Sequence, residues 1–377
     1  MKKEKFSNLF TFLPKSKIKA GEGKDEGKYP LYTSSPILSK YYDDAIYSGE
    51  SLIFGTGGQP SIHYEINKFS TSTDCLIAKK KEDVKTKIYT KYIYYFLKSH
   101  DRILEDGFKG AGLKHISKKY ISNIKIPLPK SIDDQIKIAN LLSQVEALIA
   151  KREESIKLLD ELLKSTFLDM FGTYDKLDYR LEELCSEIVD CPHSTPKYSD
   201  NKTEFSCLRT SEFSNGQIDY SSIKYVNEEE YLKRVKRLIP EFGDVLYARE
   251  GSYGDAVRVP KESLICLGQR TMLFRPKIEI CNSIFLWALV RSDIVFRQAK
   301  KKNKGATVGR VNVKDIKEFK VFLPPKPLQD KFAAIVQQVE ESKKRYQESL
   351  NQLQQLFGSL SQRAFKGELD LDKMKRF

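Results

Sequence analysis

Along residues 131–170 the apolar positions fall at helical spacing. Ile138, Leu141, Val145, Leu148, Leu159 and Leu162 follow alternating steps of three and four, with polar Arg152 and Ser155 between. The same steps recur 194 positions later at Phe332, Ile335, Val339, Ser342, Leu353 and Leu356. Such a stripe is the a/d line of a coiled coil. Ile149, Ile156 and Leu163 widen it in the first copy, and Val336, Leu350 and Phe357 in the second. Pro127 and Pro129 precede the first copy and Gly172 follows it, as helix boundaries require. A helix of roughly 35 residues is about 50 Å long. One that long and that amphipathic needs a partner over its stripe, and the simplest partner is the other copy.

The recurrence extends to identities and beyond the helices. Gln135 answers to Gln329, Lys137 to Lys331, Val145-Glu146 to Val339-Glu340 and Glu154-Ser155 to Glu348-Ser349, all at one offset. At the same offset 49–54 matches 243–248, and Gly57 matches Gly251. Gly110-Ala111 resembles Gly305-Ala306; Ile121, Ile124 and Ile126 resemble Ile316, Phe319 and Val321, one residue out of phase; Phe6 and Leu9 resemble Leu181 and Leu184 in spacing. Runs 51–54, 75–78, 245–248 and 272–274 predict strands, and 88–98 and 284–298 predict helices packed on them. The pattern gives an α+β protein with a pseudo-two-fold repeat. It divides into an α/β globular part at 1–130, a long helix at 131–172, a second globular part at 173–325, a second long helix at 326–366 and a charged, frayed tail at 367–377.

Charge adds a partner class. The formal net charge is +14. Residues 1–130 carry 24 basic and 14 acidic side chains, whereas 131–170 carry 5 and 8. A basic excess outside the first helix suits a polyanion, most simply nucleic-acid phosphates. The first ten residues are charged and lack the apolar stretch of a signal peptide, and no apolar run reaches the roughly 20 residues of a membrane span. The six cysteines (Cys75, Cys185, Cys191, Cys207, Cys266 and Cys281) form no C-x-x-C pair and read as reduced, buried thiols of a cytosolic protein.

Catalytic signatures are scarce. There is no phosphate-loop motif and no Asp/Asn-Pro-Pro-aromatic tetrapeptide for holding a target nitrogen. Glu318-Phe319-Lys320 has a nuclease-like E-x-K spacing without an upstream Pro-Asp, and reads as a strand edge. Cys185, Cys191 and His193 fit no zinc spacing, and no metal site is expected. Glycine-rich loops carrying hydroxyls, aromatics and cations are plentiful instead. Glycine lets backbone N–H groups approach phosphate, and Arg, Lys and Gln read base edges. The candidate DNA contacts are Gly57, Gly58, Gln59, Ser61, His63, Lys109, Lys114 and His115 in the first half. In the second they are Ser194, Thr195, Lys197, Tyr198, Arg249, Ser252, Tyr253, Arg270, Lys304, Thr307 and Arg310.

The chain resembles the DNA-specificity subunit of type I restriction–modification enzymes. The resemblance rests on the duplication, on IKIPLPKSIDDQIKIA and KVFLPPKPLQDKFAAI leading into the helices, on DCPHSTPKY, and on GDVLYAREGSYG with its weaker partner GESLIFGTGG. KGAGLKHISKKYISNIKIPLP and KGATVGRVNVKDIKEFKVFLP fit as well. It implies two target-recognition domains, each reading half of a split duplex DNA sequence. The helices would pair as an antiparallel coiled coil, set the spacer between half-sites, and dock two modification subunits. Those subunits would carry S-adenosylmethionine and methylate adenine, and separate restriction subunits would carry ATP and Mg. The chain itself would hold no cofactor and no active site, and would work in the cytoplasm, away from membranes. The competing readings are a basic coiled-coil scaffold or RNA-associated protein without sequence preference, and an enzyme with an unrecognised site.

Overall fold

The computed structural model describes residues 1–84, 87–110, 112–251, 253–303 and 309–371. The chain forms two compact units, Met1–Ser155 with Tyr346–Phe377, and Ile156–Arg345. Each long helix therefore contributes one part to each unit: Ile132–Phe171 and Lys326–Lys366 are both continuous.

One plan is built in both units. In the first, strands Phe10–Phe12, Cys75–Lys80, Ser51–Gly55 and Ser61–Glu65 form an antiparallel sheet in that order. In the second, Cys185–Asp190, Thr271–Pro276, Val245–Ala248 and Ala256–Arg258 do the same. A smaller mixed sheet accompanies each, with one parallel pair: Tyr29–Tyr32 beside Lys68–Thr71, and Phe205–Leu208 beside Leu264–Leu267. A short strand opens each globular part and pairs with one just before the long helix, Lys2–Lys5 with Lys125–Leu128 and Tyr179–Arg180 with Lys320–Val321. The turns that follow bury Phe6 and Leu9, and Leu181 and Leu184, so the two halves do open alike.

The strands align one residue differently from the sequence match. Gly49 and Gly243 both turn with positive φ, 79° and 90°, and stand 194 apart. Leu52 and Phe54 then face the core beneath the helices, as Val245 and Tyr247 do, whereas Ile53 shares the opposite face with Leu246 and Ala248. Leu52 is thus equivalent to Val245, not to Leu246. Side chains alternate faces along a strand, so only this register keeps the large residues on the core side.

The helices are started and stopped locally. Ser131 Oγ accepts the Asp133 N–H at 3.0 Å, and Asp133 and Asp134 occupy the first turn, where the helix dipole favours them. At the other end of the second helix, Gly367 (φ 80°) forms a Schellman stop: its N–H reaches Ala364 O, and the Glu368 N–H reaches Arg363 O. Within the first unit the start of one helix lies with the end of the other, since Ile138, Ala139 and Leu142 share a core with Ala364 and Phe365. Within the second, Phe167 and Phe171 meet Phe332, and Lys343 pairs with Asp160 at 2.6 Å. The pairing is antiparallel in each.

The buried line is rotated from the a/d stripe. Ile138, Val145, Phe332 and Val339 are buried, but Leu148, Leu162 and Leu356 are 51%, 47% and 46% exposed. Leu142 is buried in place of Leu141, and the line continues through half-buried Ile149, Ile156 and Leu163. Each helix packs against its globular part as well as against its partner, in the first unit on Thr90–Lys98 and in the second on Ser283–Val290, so the inner face turns toward both. Two further expectations change. The single helix at 284–298 is two, Ser283–Val290 and Asp293–Lys302, broken where Ser292 adopts extended backbone (φ −70°, ψ 158°). The tail is not frayed at its start, because Leu369 and Leu371 pack on the first unit's core; 372–377 lie outside the described residues.

Two duplicated side chains fasten the helices to the globular parts. Gln135 is buried; its Oε1 accepts the Tyr89 N–H at 2.9 Å and its Nε2 donates to Lys87 O at 3.1 Å. Gln329 repeats this with the Asn282 N–H at 2.8 Å and with Ile280 O and Pro324 O at 2.9 and 2.8 Å. Glu146 accepts from the Tyr95 hydroxyl and from Lys98; Glu340 accepts both its bonds from Arg258, at 2.5 and 2.7 Å.

Candidate nucleic-acid interface

The site in the second unit lies at one edge of the sheet. Cys185–Asp190 and Val245–Ala248 both run antiparallel to Thr271–Pro276, so the ends at Asp190 and Ala248 meet the start at Thr271. The loops that leave this edge carry His193, Arg249-Glu250 and Gln269-Arg270. A further segment joins them: Glu250 bridges Arg310, the Gly251 N–H reaches Gly309 O at 3.1 Å, and the Val311 N–H reaches Arg249 O at 3.0 Å. Cys191, Pro192, His193, Arg249, Glu250, Gln269, Arg270 and Arg310 line a cleft of about 180 Å³.

Glu250 gathers the charges. Arg249 donates to Asp190 Oδ1 at 3.0 Å and to Glu250 Oε1 at 2.8 Å. Arg310 and Arg270 approach the same carboxylate through Nε, at 3.3 and 3.5 Å. Arg249 is 4% exposed, so it is a buried strut rather than a free DNA contact; both its charge partners are already inside the protein. Tyr253 is likewise scaffolding: its ring stacks on Phe296 (5.7 Å between centroids, 10° apart), and a Cβ on Gly309 would stand 2.4 Å from it. Ser194, Thr195, Lys197 and Tyr198 are exposed, with the Tyr198 ring beside the Arg209 guanidinium and Thr195 Oγ1 accepting from Gln269 at 3.2 Å.

The 193–198 loop is held from below by Arg234. This side chain is 4% exposed and donates to Leu267 O at 2.8 Å, Ser194 O at 3.2 Å and Pro192 O at 3.4 Å. Arg234→Met keeps most of the volume but leaves three carbonyls without their donor and Glu230, 3.6 Å away, without its cation. The expected cost is about 3 kcal/mol, with faster amide exchange at 193–199 as the local readout. Unchanged exchange there would show that the loop does not depend on Arg234.

The first unit repeats the bridge with different chemistry. Gly57 pairs with His115, and the Ile116 N–H reaches Thr56 O at 3.0 Å, matching Glu250 with Arg310 and Val311 with Arg249. Gly57 is therefore equivalent to Glu250, not to Gly251, by the same one-residue slip as the strand before it. Gly58, Gln59, Lys109, Lys114 and His115 are exposed around this bridge, with Lys109 opposite His115 in a two-stranded hairpin. Ser61 and His63 serve the scaffold instead. Ser61 is buried and donates to Ser34 O at 3.1 Å; the His63 ring bonds Ser35 O at 2.9 Å, packs at a tilt beside Tyr32, and has its pKa lowered by burial. Ser252, Lys304, Thr307 and the Ala111 and Gly305-Ala306 matches lie outside the described residues.

Among the described residues, no group of three or more His, Cys, Asp or Glu side chains is placed to hold a metal ion, and no helix is long and apolar enough to cross a membrane. All six cysteines are buried and unpaired by disulfides.

The sequence pattern of the type I restriction modification DNA specificity domain matches residues 1–158 and 200–355. The chain belongs to this family. The two matched segments correspond to the two copies of the repeat. The type I restriction enzyme MjaVIII specificity subunit of Methanocaldococcus jannaschii is 25% identical over 253 residues, covering 62% of this chain and 59% of that protein. The EcoBI specificity subunit of Escherichia coli is 21% identical, covering 77% and 68%. The crystal structure of a type I restriction-modification S subunit from M. genitalium superposes with a TM-score of 0.62 at 17% identity, over 97% of this chain and 96% of that one. That likeness fixes the α+β fold.

In this type I specificity chain the structure adds residues that sequence reasoning passed over. Glu250, at the centre of the charge cluster, directly follows Arg249 at a strand end, which was a usable signal. Arg234 sits in the acidic helix Glu228–Arg234, where it reads as a solvated i,i+4 partner of Glu230. Ser34, which accepts the Gly57 N–H at 3.2 Å, lies in a serine-rich turn with no distinguishing pattern.

Proposed function

We propose that the chain is the sequence-recognition subunit of a type I restriction–modification complex, reading a bipartite duplex target with one half-site per unit. One observation carries this reading: the same two-loop bridge is built at the same edge of the same sheet in both units, framed by exposed cations and amides but with different residues at its centre. A duplicated scaffold with unlike loops suits two unlike half-sites, and sequence is read by side chains on base edges while phosphate contacts set position. The net charge of +14 supports the phosphate part. The long paired helices supply the spacer between half-sites and the surface on which two modification subunits and the restriction subunits dock. Those partners carry S-adenosylmethionine, ATP and Mg, and the chain itself performs no catalysis in the cytoplasm where it acts.

Base-resolution mapping of methylated adenine in host DNA, with and without this gene, tests the reading. Loss of the mark from one bipartite motif is the expected result. A scaffold or RNA-associated role predicts instead an unchanged methylation map, and equal competition by randomised duplexes and RNA for the purified chain.

A further inference from the structure

We infer that the unit Ile156–Arg345 reads a guanine in its half-site through Arg270 and Arg310, with Glu250 as their positioning residue; this rests on the reading of the chain as a DNA-recognition subunit. Arg249 is occupied on both sides by Asp190 and Glu250 and takes no part. Arg270 and Arg310 differ. Each comes nearest to Glu250 through Nε, at 3.5 and 3.3 Å, and their side chains are 53% and 55% exposed. The terminal amino nitrogens of both forks stand no nearer to that carboxylate than Nε does. Arg270 is one of three non-glycine residues with positive φ (70°) among the described residues, and its carbonyl is held by the Arg249 N–H at 3.0 Å, so its side chain leaves from a fixed backbone.

The surrounding charge selects the ligand. A phosphate approaching either fork would meet Glu250, which is 15% exposed, and Asp190 behind it. Guanine offers O6 and N7, two neutral acceptors spaced for a guanidinium fork, and that pairing is the commonest specific contact in the major groove. A fork already oriented by a carboxylate loses less freedom on binding than one free in solvent. The first unit has Gly57 and His115 at the equivalent bridge and so carries no such fork there. The guanine preference belongs to one half-site only.

The test is enrichment of duplexes from a randomised library by the purified full-length chain, read by sequencing. It compares wild type with Arg270→Lys, Arg310→Lys and Glu250→Gln. Wild type is expected to enrich a two-part motif with guanine in one half. Each lysine variant keeps the charge and loses the fork, so preference for that guanine falls roughly ten- to a hundredfold while the other half and the salt dependence stay. Glu250→Gln weakens the guanine preference and raises affinity for unrelated duplexes, because the carboxylate no longer repels phosphate. A wild-type motif in which guanine preference survives both lysine variants, or a guanine-free motif, overturns this inference and leaves the function standing. No enrichment by wild type overturns the function and this inference together.

Discussion

Replacing Gln329 with leucine is expected to destabilise the second unit by about 4 kcal/mol. Gln329 is fully buried and satisfies three backbone groups at once, the Asn282 N–H and the carbonyls of Ile280 and Pro324. Leucine has nearly the same volume, so packing survives and only the hydrogen bonding is lost. An orphaned buried donor or acceptor costs about 1–3 kcal/mol, and three in one place do not add fully. Asn282 is also the N-cap of Ser283–Val290, accepting the Ile284 N–H at 2.8 Å and donating to Asp330 at 2.7 Å, so the loss reaches the most buried helix of the unit. The chain has a single tryptophan, Trp287, and it lies in that helix. Urea unfolding followed by Trp287 fluorescence therefore reports on the right unit. Gln337→Leu, the same substitution at an exposed position of the same helix within the same unit, is the control and should cost less than about 1 kcal/mol. If the two variants cost the same, the glutamine does not fasten the helix.

Much of this fold is legible in the sequence, and the parts that are not fail for definable reasons. The helical period and the shared register of Gln135 with Gln329 and Glu146 with Glu340 are visible as pattern and identity. What the pairs do is invisible, because their partners are backbone groups at Tyr89 and Asn282 or the unlike side chains Lys98 and Arg258. Spacing locates the stripe but not its centre: an isolated coiled coil would bury Leu148 and Leu356, whereas a helix that also packs on a globular part turns them outward. The strand match between 49–54 and 243–248 fails by one residue because an extra residue follows Gly49, and the resulting change of face cannot be seen in identities. At the candidate site, composition finds the loops. It does not separate Arg249 from Arg270 and Arg310, since a second, half-buried carboxylate, Asp190, makes the first a strut.

Exchanging residues 173–325 for the corresponding part of another member of the family should replace one half of the recognised sequence and leave the other half intact. All the exposed candidate contacts of the second unit (Ser194, Thr195, Lys197, Tyr198, Arg270 and Arg310) travel with the exchanged segment, and none of those in the first unit does. A mismatched base pair typically costs about 1–3 kcal/mol, nearly additively. A new half-site differing at three positions should therefore shift preference by well over a hundredfold. The contacts that stay behind set the condition for success. Phe171 packs on Phe285 and Phe322, with ring centroids 5.1 and 6.1 Å away, Glu340 holds Arg258, and Gln329 holds the turn before the buried helix. A donor segment with aromatic residues at 285 and 322 and a cation at 258 should fold on the retained helices; one lacking the cation leaves Glu340 half-buried and unpaired, and should be restored by Glu340→Leu. Methylation mapping of the chimera reads the outcome directly. If both halves of the motif change, or if neither does, the two units do not read independently, and the modular account of this chain is wrong.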